Sequence, residues 1–374
     1  RCIVQDIPNV IRNLRVSRLS RSTRAIINPD AIRNNFRQLS PGRDCTAIAV
    51  IKADAYGHGA VTVAEALAEL CECFAIAICD EAAALREAGI NQPLLVLEGP
   101  HDADDCQAAR AGNLILLVHN QQQLAWLDQL EQTHRPEIWL KVDTGMHRLG
   151  FNADDIATVL SSYDWLQQQR PVLVSHFACA DEPDNPNNAI QLQQFLALTG
   201  SLALPGCMAN SAATLCNPAS QADWCRLGIG LYGASPVSGR AAADYGLTPA
   251  MTLMAQIIAL HNVQQGETVG YSQTWTAPRD SVIATVGIGY ADGSPRHCPN
   301  GTPVVVRGQR GQLVGRVSMD MITIDVTHIG EVALGDEVEL WGAQLPVDEV
   351  ADWAGTISYE LITRVSARVP RVTG

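Results

Sequence analysis

The chain has 374 residues, enough for two domains with ample cores. Apolar residues make up 47% and charged residues only 17%, which excludes an intrinsically disordered chain. A formal charge of -13 argues against general binding to nucleic acid or an anionic membrane, while leaving room for a small anion in a locally basic pocket.

Through position 24 the chain carries Arg1, Arg12, Arg15, Arg18, Arg21 and Arg24, with Asp6 as the only acid. Residues 1–22 read as a basic N-terminal extension, in the manner of a transit peptide or of a vector-derived or upstream extension. They have no apolar h-region, so a secretory signal is not expected.

From Thr23 short apolar runs alternate with helical stretches. The runs are Ala47 to Ile51, Phe74 to Ile78, Leu94 to Leu97, Leu114 to Val118, Ile138 to Val142, Val172 to Val174, and Met208 with its neighbours. Amphipathic segments such as Asp80 to Ala88 and Gln121 to Leu127 lie between them. Such alternation predicts parallel strands joined by right-handed helical crossovers. About eight units over roughly 220 residues fit a (β/α)8 barrel better than a doubly wound sheet. No run is long enough to span a membrane.

The first run ends in Lys52-Ala-Asp-Ala-Tyr56-Gly-His58-Gly59, which places three polar side chains in a short loop closed by glycines. A lysine at the end of a buried strand can lose hydration, which lowers its pKa and frees an amine for Schiff-base or proton-transfer chemistry. On this stretch alone, a lysine snorkelling to the rim of a barrel is an equal reading. Lys141 with Arg148, His176, Asn210 with Ser211, and Arg226 are likewise expected just after strand ends. In a barrel those ends converge on one mouth.

Past Leu247 the helical periodicity gives way to strands and turns: Leu253 to Leu260, Val282 to Val286, Pro303 to Val306, Gln312 to Val317, Met321 to Val326 and Val338 to Trp341. Only Val347 to Trp353 and Tyr359 to Thr363 look helical. The fold class is therefore α/β plus β: a TIM-type barrel over 23–246 followed by a C-terminal β-rich domain over 247–374.

The eleven cysteines are scattered in mostly apolar surroundings and lack zinc spacing, since Cys71-Glu-Cys73 is one residue too tight. They read as reduced core thiols of a cytoplasmic protein, and no metal site is expected. Gly228-Ile-Gly230-Leu-Tyr-Gly233 fits the dinucleotide fingerprint literally. It lacks the surrounding βαβ unit and the following helix, although its amides could bind one phosphate.

Val50-Ile-Lys52-Ala-Asp-Ala-Tyr56-Gly-His-Gly59 resembles the cofactor-lysine signature of the alanine racemases. The match continues through Lys141-Val-Asp-Thr-Gly-Met-His-Arg148-Leu-Gly, Ser175-His176-Phe, Asn210-Ser211, Arg226-Leu-Gly228-Ile229, Val269-Gly-Tyr271-Ser, Gly289-Tyr290-Ala-Asp-Gly, Val314-Gly-Arg316-Val-Ser-Met319-Asp and Ser358-Tyr359-Glu. It covers essentially everything from Thr23 onward. Asp54 stands where asparagine is more usual in this loop, and His147 carries no interpretation.

The resemblance implies pyridoxal 5'-phosphate as cofactor, alanine as substrate and a homodimer. It implies that Lys52 holds the cofactor, with Tyr56, Asn210, Ser211, Tyr359 and the amides of Gly228 and Ile229 near its phosphate and His176 near its ring. As a residue of this sequence alone, His176 reads as a satisfied histidine at a strand end. Arg226 is implied to face the ring nitrogen, where a permanently protonated donor keeps that nitrogen unprotonated and restrains side reactions. Arg148 and Met319 are implied to line the substrate pocket, with Lys141 carrying a carbamate that positions Arg148. Inversion of a stereocentre needs an acid/base on each face, and the resemblance implies Lys52 and Tyr271 of the partner subunit. Its biological role is expected in supply of D-alanine for peptidoglycan or in alanine catabolism. A broader amino-acid racemase, a decarboxylase and a non-catalytic carrier of the cofactor are the alternatives.

Overall fold

A computed structural model describes residues 21–42 and 44–374 of the chain. The basic segment of residues 1–22 lies outside the described residues except for Arg21 and Ser22. The chain divides into two compact units, and neither is continuous in sequence.

The larger unit comprises Ala25–Thr252 and Trp341–Gly374. Its centre is eight strands: β1 (Thr46–Val50), β2 (Phe74–Ile76), β3 (Leu94–Val96), β4 (Leu114–Val118), β5 (Glu137–Asp143), β6 (Leu173–Val174), β7 (Gly206–Cys207) and β8 (Trp224–Leu227). Each pairs in parallel with its neighbour and β8 pairs with β1, so the sheet closes into a barrel. Continuous apolar strands suit a sheet covered on both faces, and β4 is buried at all five positions. Phe74 and Trp139 are among the largest fully buried side chains.

The crossover helices begin where the sequence supplies caps. Asn28 accepts from the N–H of Ala31 and Pro29 opens the helix Pro29–Leu39. Asp102, Asn120, Asn185 and Asn210 cap four later helices in the same way. The end of the chain belongs to this unit as well: Ala25, Ile26 and Ile27 pair in parallel with Arg371, Val372 and Thr373.

Two details differ from the expected pattern. Strand β8 has no apolar run to announce it, because Arg226 interrupts it. Lys141 and Arg226 lie within β5 and β8, where they had been expected just after strand ends. The glycine-rich segment after β8 forms a 3-10 turn over Ile229–Tyr232, with no nucleotide-binding helix behind it.

The smaller unit holds Leu253–Leu340 with the described residues before Ala25. Six antiparallel strands build it: β9 (Met251–Val263), β10 (Ser281–Val286), β11 (Pro303–Val306), β12 (Gln309–Leu313), β13 (Ile322–Asp325) and β14 (Glu337–Trp341). They run in the order β10-β13-β12-β11-β14-β9, and β9 also pairs with β10 to close the ring. Closure gives each of these six strands a partner on both sides. Gly289 is obligatory here, because a Cβ would stand 2.4 Å from the carbonyl oxygens of Ser318 and Met319. Among the described residues no helix is long and apolar enough to cross a membrane.

Candidate active site

The C-terminal ends of the barrel strands gather the polar residues of the larger unit. Lys52 directly follows β1 and Ile51. Its pKa is lowered first by burial and then by the neighbouring Arg148, while Glu98 and Glu81 oppose the shift. Lys52 is half-buried and Arg148 exposed.

The segment after Lys52 is unusual. Ala53, Asp54, Ala55 and Tyr56 all take left-handed backbone angles, with φ of 52–53°. Asp54 tolerates this and its Oδ1 accepts the N–H of Ala60 at 2.8 Å, so the carboxylate serves where an asparagine carbonyl would. Gly57 must be glycine, because a Cβ would meet the carbonyl oxygen of Ile362 at 2.3 Å. His58 is fully buried, with Nδ1 3.1 Å from the carbonyl oxygens of Ala55 and Tyr56. Burial lowers its pKa to about 4.

Tyr56 stacks on Tyr232 at 4.8 Å and lies 5.9 Å from the ring of Tyr359. The Tyr232 hydroxyl donates to the carbonyl of Val50, which fixes the stack to the end of β1. Gly228 has no side chain to fill the space beside Tyr56, and a Cβ there would stand 3.0 Å from the tyrosine oxygen. The N–H of Gly228 donates to Ser211 Oγ at 2.8 Å, and Asn210 caps the helix that Ser211 opens. Tyr56, Ser211 and Gly228 therefore surround one small cradle of hydroxyls and backbone donors. Such donors suit a phosphate.

Arg226 is 5% exposed, and its guanidinium is held on several sides. Nη1 donates to the carbonyl of Cys207 at 3.0 Å and meets its Sγ at 2.9 Å. Nη2 donates to the carbonyl of Ser175 at 2.8 Å and approaches Nδ1 of His176 at 3.1 Å. A guanidinium cannot accept, so Nδ1 of His176 is the acceptor and the imidazole is neutral. Burial and the cations Arg226, Lys141, Arg148 and Lys52 hold its pKa well below the usual histidine value. Lys141, on the neighbouring strand β5, is pushed down to about 7 by burial, Arg226 and Arg148. Lys141, Arg148, Ser175 and His176 line one small cavity. Lys52, Lys141, Arg148 and Arg226 share this mouth with the neutral His176, and these four basic groups suit it electrostatically to anions.

His147, left without interpretation above, has φ 55° and places Nδ1 3.0 Å from Asp143 Oδ2. Asp143 Oδ1 accepts three successive N–H groups from Gly145, Met146 and His147. This turn leads directly to Arg148. Tyr232, Cys207 and Glu81 escaped the sequence reading, because a tyrosine, a thiol and a helix-start carboxylate carry no motif of their own.

Two expected site residues lie in the smaller unit. Tyr271 follows Gly270, which has φ 78°, and is 66% exposed. Met319 is 54% exposed. Among the described residues no group of His, Cys, Asp and Glu is arranged to hold a metal ion, and the ten described cysteines are unpaired.

Residues 27–236 match the family model described as alanine racemase, N-terminal domain, and residues 250–373 match alanine racemase, C-terminal domain. A protein of Alteromonas mediterranea named alanine racemase is 53% identical over 355 residues, spanning 95% of this chain and 99% of its own. The crystal structure of the biosynthetic alanine racemase from Pseudomonas aeruginosa is similar with a TM-score of 0.90 at 43% identity, over 95% of this chain and 99% of that one. The alanine racemase from Acinetobacter baumannii gives 0.89 at 38% identity, over 95% and 100%. With both family models matched and the barrel and β-rich unit in place, the chain belongs to the alanine racemase family of isomerases.

Proposed function

We propose that the protein interconverts L- and D-alanine as a homodimer, with pyridoxal 5'-phosphate bound in the barrel mouth. One observation carries this reading: a half-buried lysine amine shares a mouth with an arginine held through both terminal nitrogens and with a cradle of hydroxyls and backbone amides. The residues fit the cofactor. Lys52 would supply the amine for its aldehyde, Arg226 a donor for its ring nitrogen, and Tyr56, Ser211, Tyr359 and the amides of Gly228 and Ile229 would hold its phosphate, with Asn210 fixing the Ser211 helix. His176, neutral and braced by Arg226, would lie near the ring.

When bound, the cofactor withdraws electrons from the substrate's α-carbon and makes the α-proton removable. Lys52 takes or returns that proton on one face. The hydroxyl of Tyr271 of the partner subunit does so on the other, which lets the proton return with inverted configuration. Burial and Arg148 lower the Lys52 pKa, so a larger share of the amine is free to accept near neutrality. Arg148 holds the substrate carboxylate. Arg226 cannot give up its proton, and this limits how far charge can spread into the ring.

Lys141, pushed down to about 7, is present in part as the neutral amine near physiological pH. Its nitrogen can add carbon dioxide to give a carbamate and one released proton, which turns repulsion between Lys141 and Arg148 into an ion pair. Met319 closes the pocket around a methyl side chain. The reading divides the chain into domains at 23–246 and 247–374 after a basic segment at 1–22; the family models, ending at 236 and beginning at 250, support it. It places the reaction in the cytoplasm, supported by ten unpaired thiols, and its role in D-alanine supply for peptidoglycan or in alanine catabolism.

The test is to mix the protein with D-alanine and follow optical rotation together with carbon dioxide release. Cofactor-dependent decay of rotation to zero without gas is the expected outcome. Gas release would reassign the protein to decarboxylation, and neither signal would leave a cofactor carrier. Equal rates on lysine would make it a broad-specificity racemase.

A further inference from the structure

We propose that Glu81 is a positioning residue for Lys52: its carboxylate ties the peptide bond that follows the lysine to the end of the neighbouring barrel strand. The inference rests on the role of Lys52 given above and deepens it.

Four consecutive non-glycine residues in left-handed conformation form an uncommon turn, since the Cβ of each crowds the following carbonyl oxygen. A turn of this kind persists only where its surroundings over-determine it. The first of the four is Ala53, whose N–H belongs to the peptide bond joined to Lys52. That N–H donates to Glu81 Oε1 at 2.7 Å. The second carboxylate oxygen, Oε2, accepts the N–H of Ala77 at 2.7 Å. Ala77 is the residue after β2, and β2 pairs with β1 through Ala49 opposite Phe74 and Val50 opposite Ala75. One carboxylate thus straps together the ends of two adjacent strands at the point where the lysine emerges. Both bonds are charge-assisted, which makes them stronger than neutral ones.

The far end of the turn has its own ties, from Asp54 to the N–H of Ala60 and from His58 to the carbonyls of Ala55 and Tyr56. These fix Tyr56 and the phosphate cradle. Glu81 acts at the near end, on the bond that sets the direction of the Lys52 side chain. Its charge also bears on the amine. The groups facing Lys52 are Arg148, which lowers its pKa along with burial, Glu98 and Glu81, which raise it, and the neutral His176. Two consequences separate cleanly: loss of the negative charge shifts the amine's titration to lower pH, and loss of the strap slows its reaction at every pH.

The experiment frees the full chain of pyridoxal 5'-phosphate with hydroxylamine and returns fresh cofactor over a range of pH. Capture is stopped with borohydride, and the labelled lysine is identified and counted by peptide mass. In the wild type the label is expected on Lys52. E81Q lacks the charge and can accept only one of the two N–H groups. It should move the pH midpoint downward and lower the high-pH capture rate by about tenfold. E81D keeps the charge with a shorter reach, so its midpoint should stay while its plateau falls, and it preserves the test should E81Q fail to fold. A Gln variant labelled on Lys52 with unchanged midpoint and plateau would overturn the proposal. A lowered melting temperature with those two values unchanged would overturn it equally, by showing a structural role only. Label on another lysine in the wild type would instead overturn the assignment of Lys52, and the proposal with it.

Discussion

Arg226 and Tyr271 represent two kinds of site residue. The arginine sits inside a barrel strand, 5% exposed, with both terminal nitrogens committed to backbone carbonyls and His176. The tyrosine stands on a turn of the β-rich unit, 66% exposed. On the proposed reading, chemistry that must remain constant, such as the protonation state of a ring nitrogen, falls to a group the fold cannot release. Chemistry that must reach a substrate from the opposite side then falls to a group the single chain leaves open. The contrast predicts that barrel substitutions damage stability and catalysis together, whereas Tyr271 substitutions damage catalysis alone.

The largest effect should come from Lys52→Ala. Cofactor absorption should vanish, and racemisation should fall at least about a thousandfold, as for other residues that carry a reaction's covalent step. Retained absorption and turnover would move the attachment point elsewhere and dissolve the barrel side of the comparison.

Acid sensitivity should track the buried imidazoles. His58 has a folded pKa of about 4 against 6.5 unfolded, so the unfolded chain binds the extra proton between those values. Stability is therefore complete above pH 6.5 and falls toward pH 4, by about 3 kcal/mol at 1.36 kcal/mol per unit. His176 adds a shift of the same sign. Melting temperature against pH should show this limb, and His58→Phe should flatten it even though the variant is less stable overall. An unchanged slope would contradict neutral burial of His58.

Arg226→Lys keeps the charge and loses the fork. A single ammonium cannot serve the carbonyls of Cys207 and Ser175 and the His176 nitrogen together, so unfolding should become easier by about 2–3 kcal/mol, with turnover reduced alongside it. Tyr271→Phe should leave the unfolding free energy within about 0.5 kcal/mol of wild type, as at an exposed position. Exchange of the α-proton of D-alanine with deuterated water should survive in it through Lys52, while racemisation fails.

The smallest signal sharpens the comparison most. Mixing inactive Tyr271→Phe with inactive Lys52→Ala chains should restore activity to roughly a quarter of wild type, because about half of randomly paired dimers then hold one intact site. No recovery after demonstrated subunit exchange would mean that one chain supplies both residues.

Much of the barrel was legible because parallel strands covered on both faces must be apolar throughout, and seven of the eight announced themselves so. Strand β8 did not, since its inward arginine breaks the run. The antiparallel unit was legible through its turns, and all six of its runs overlap observed strands, with Gln312 to Val317 the most displaced. The site was legible where chemistry needs a rare residue type at fixed spacing, as with Lys52-Ala-Asp-Ala-Tyr56. It was illegible where the function is support. Nothing in Cys79-Asp-Glu81 signals a carboxylate strap, and nothing in Gly206-Cys207 signals a thiol beside Arg226. Four left-handed residues without a glycine among them run against local preference, so only tertiary contacts could reveal them.

Arg371 gives the lysine loop a dependence on time. Its Nε donates to the carbonyl of Gly57 at 2.9 Å, and its other nitrogens hold the carbonyls of Val365, Ser366 and Val369. Gly57 leaves the ribosome early, yet this partner is synthesised 314 residues later. At about 5–20 residues per second, the delay is roughly a quarter of a minute to a minute. Throughout it, the nascent barrel carries its lysine on a turn whose last tie has not been made. On the proposed reading, capture of the cofactor in this geometry therefore waits until Arg371 has emerged to close the turn.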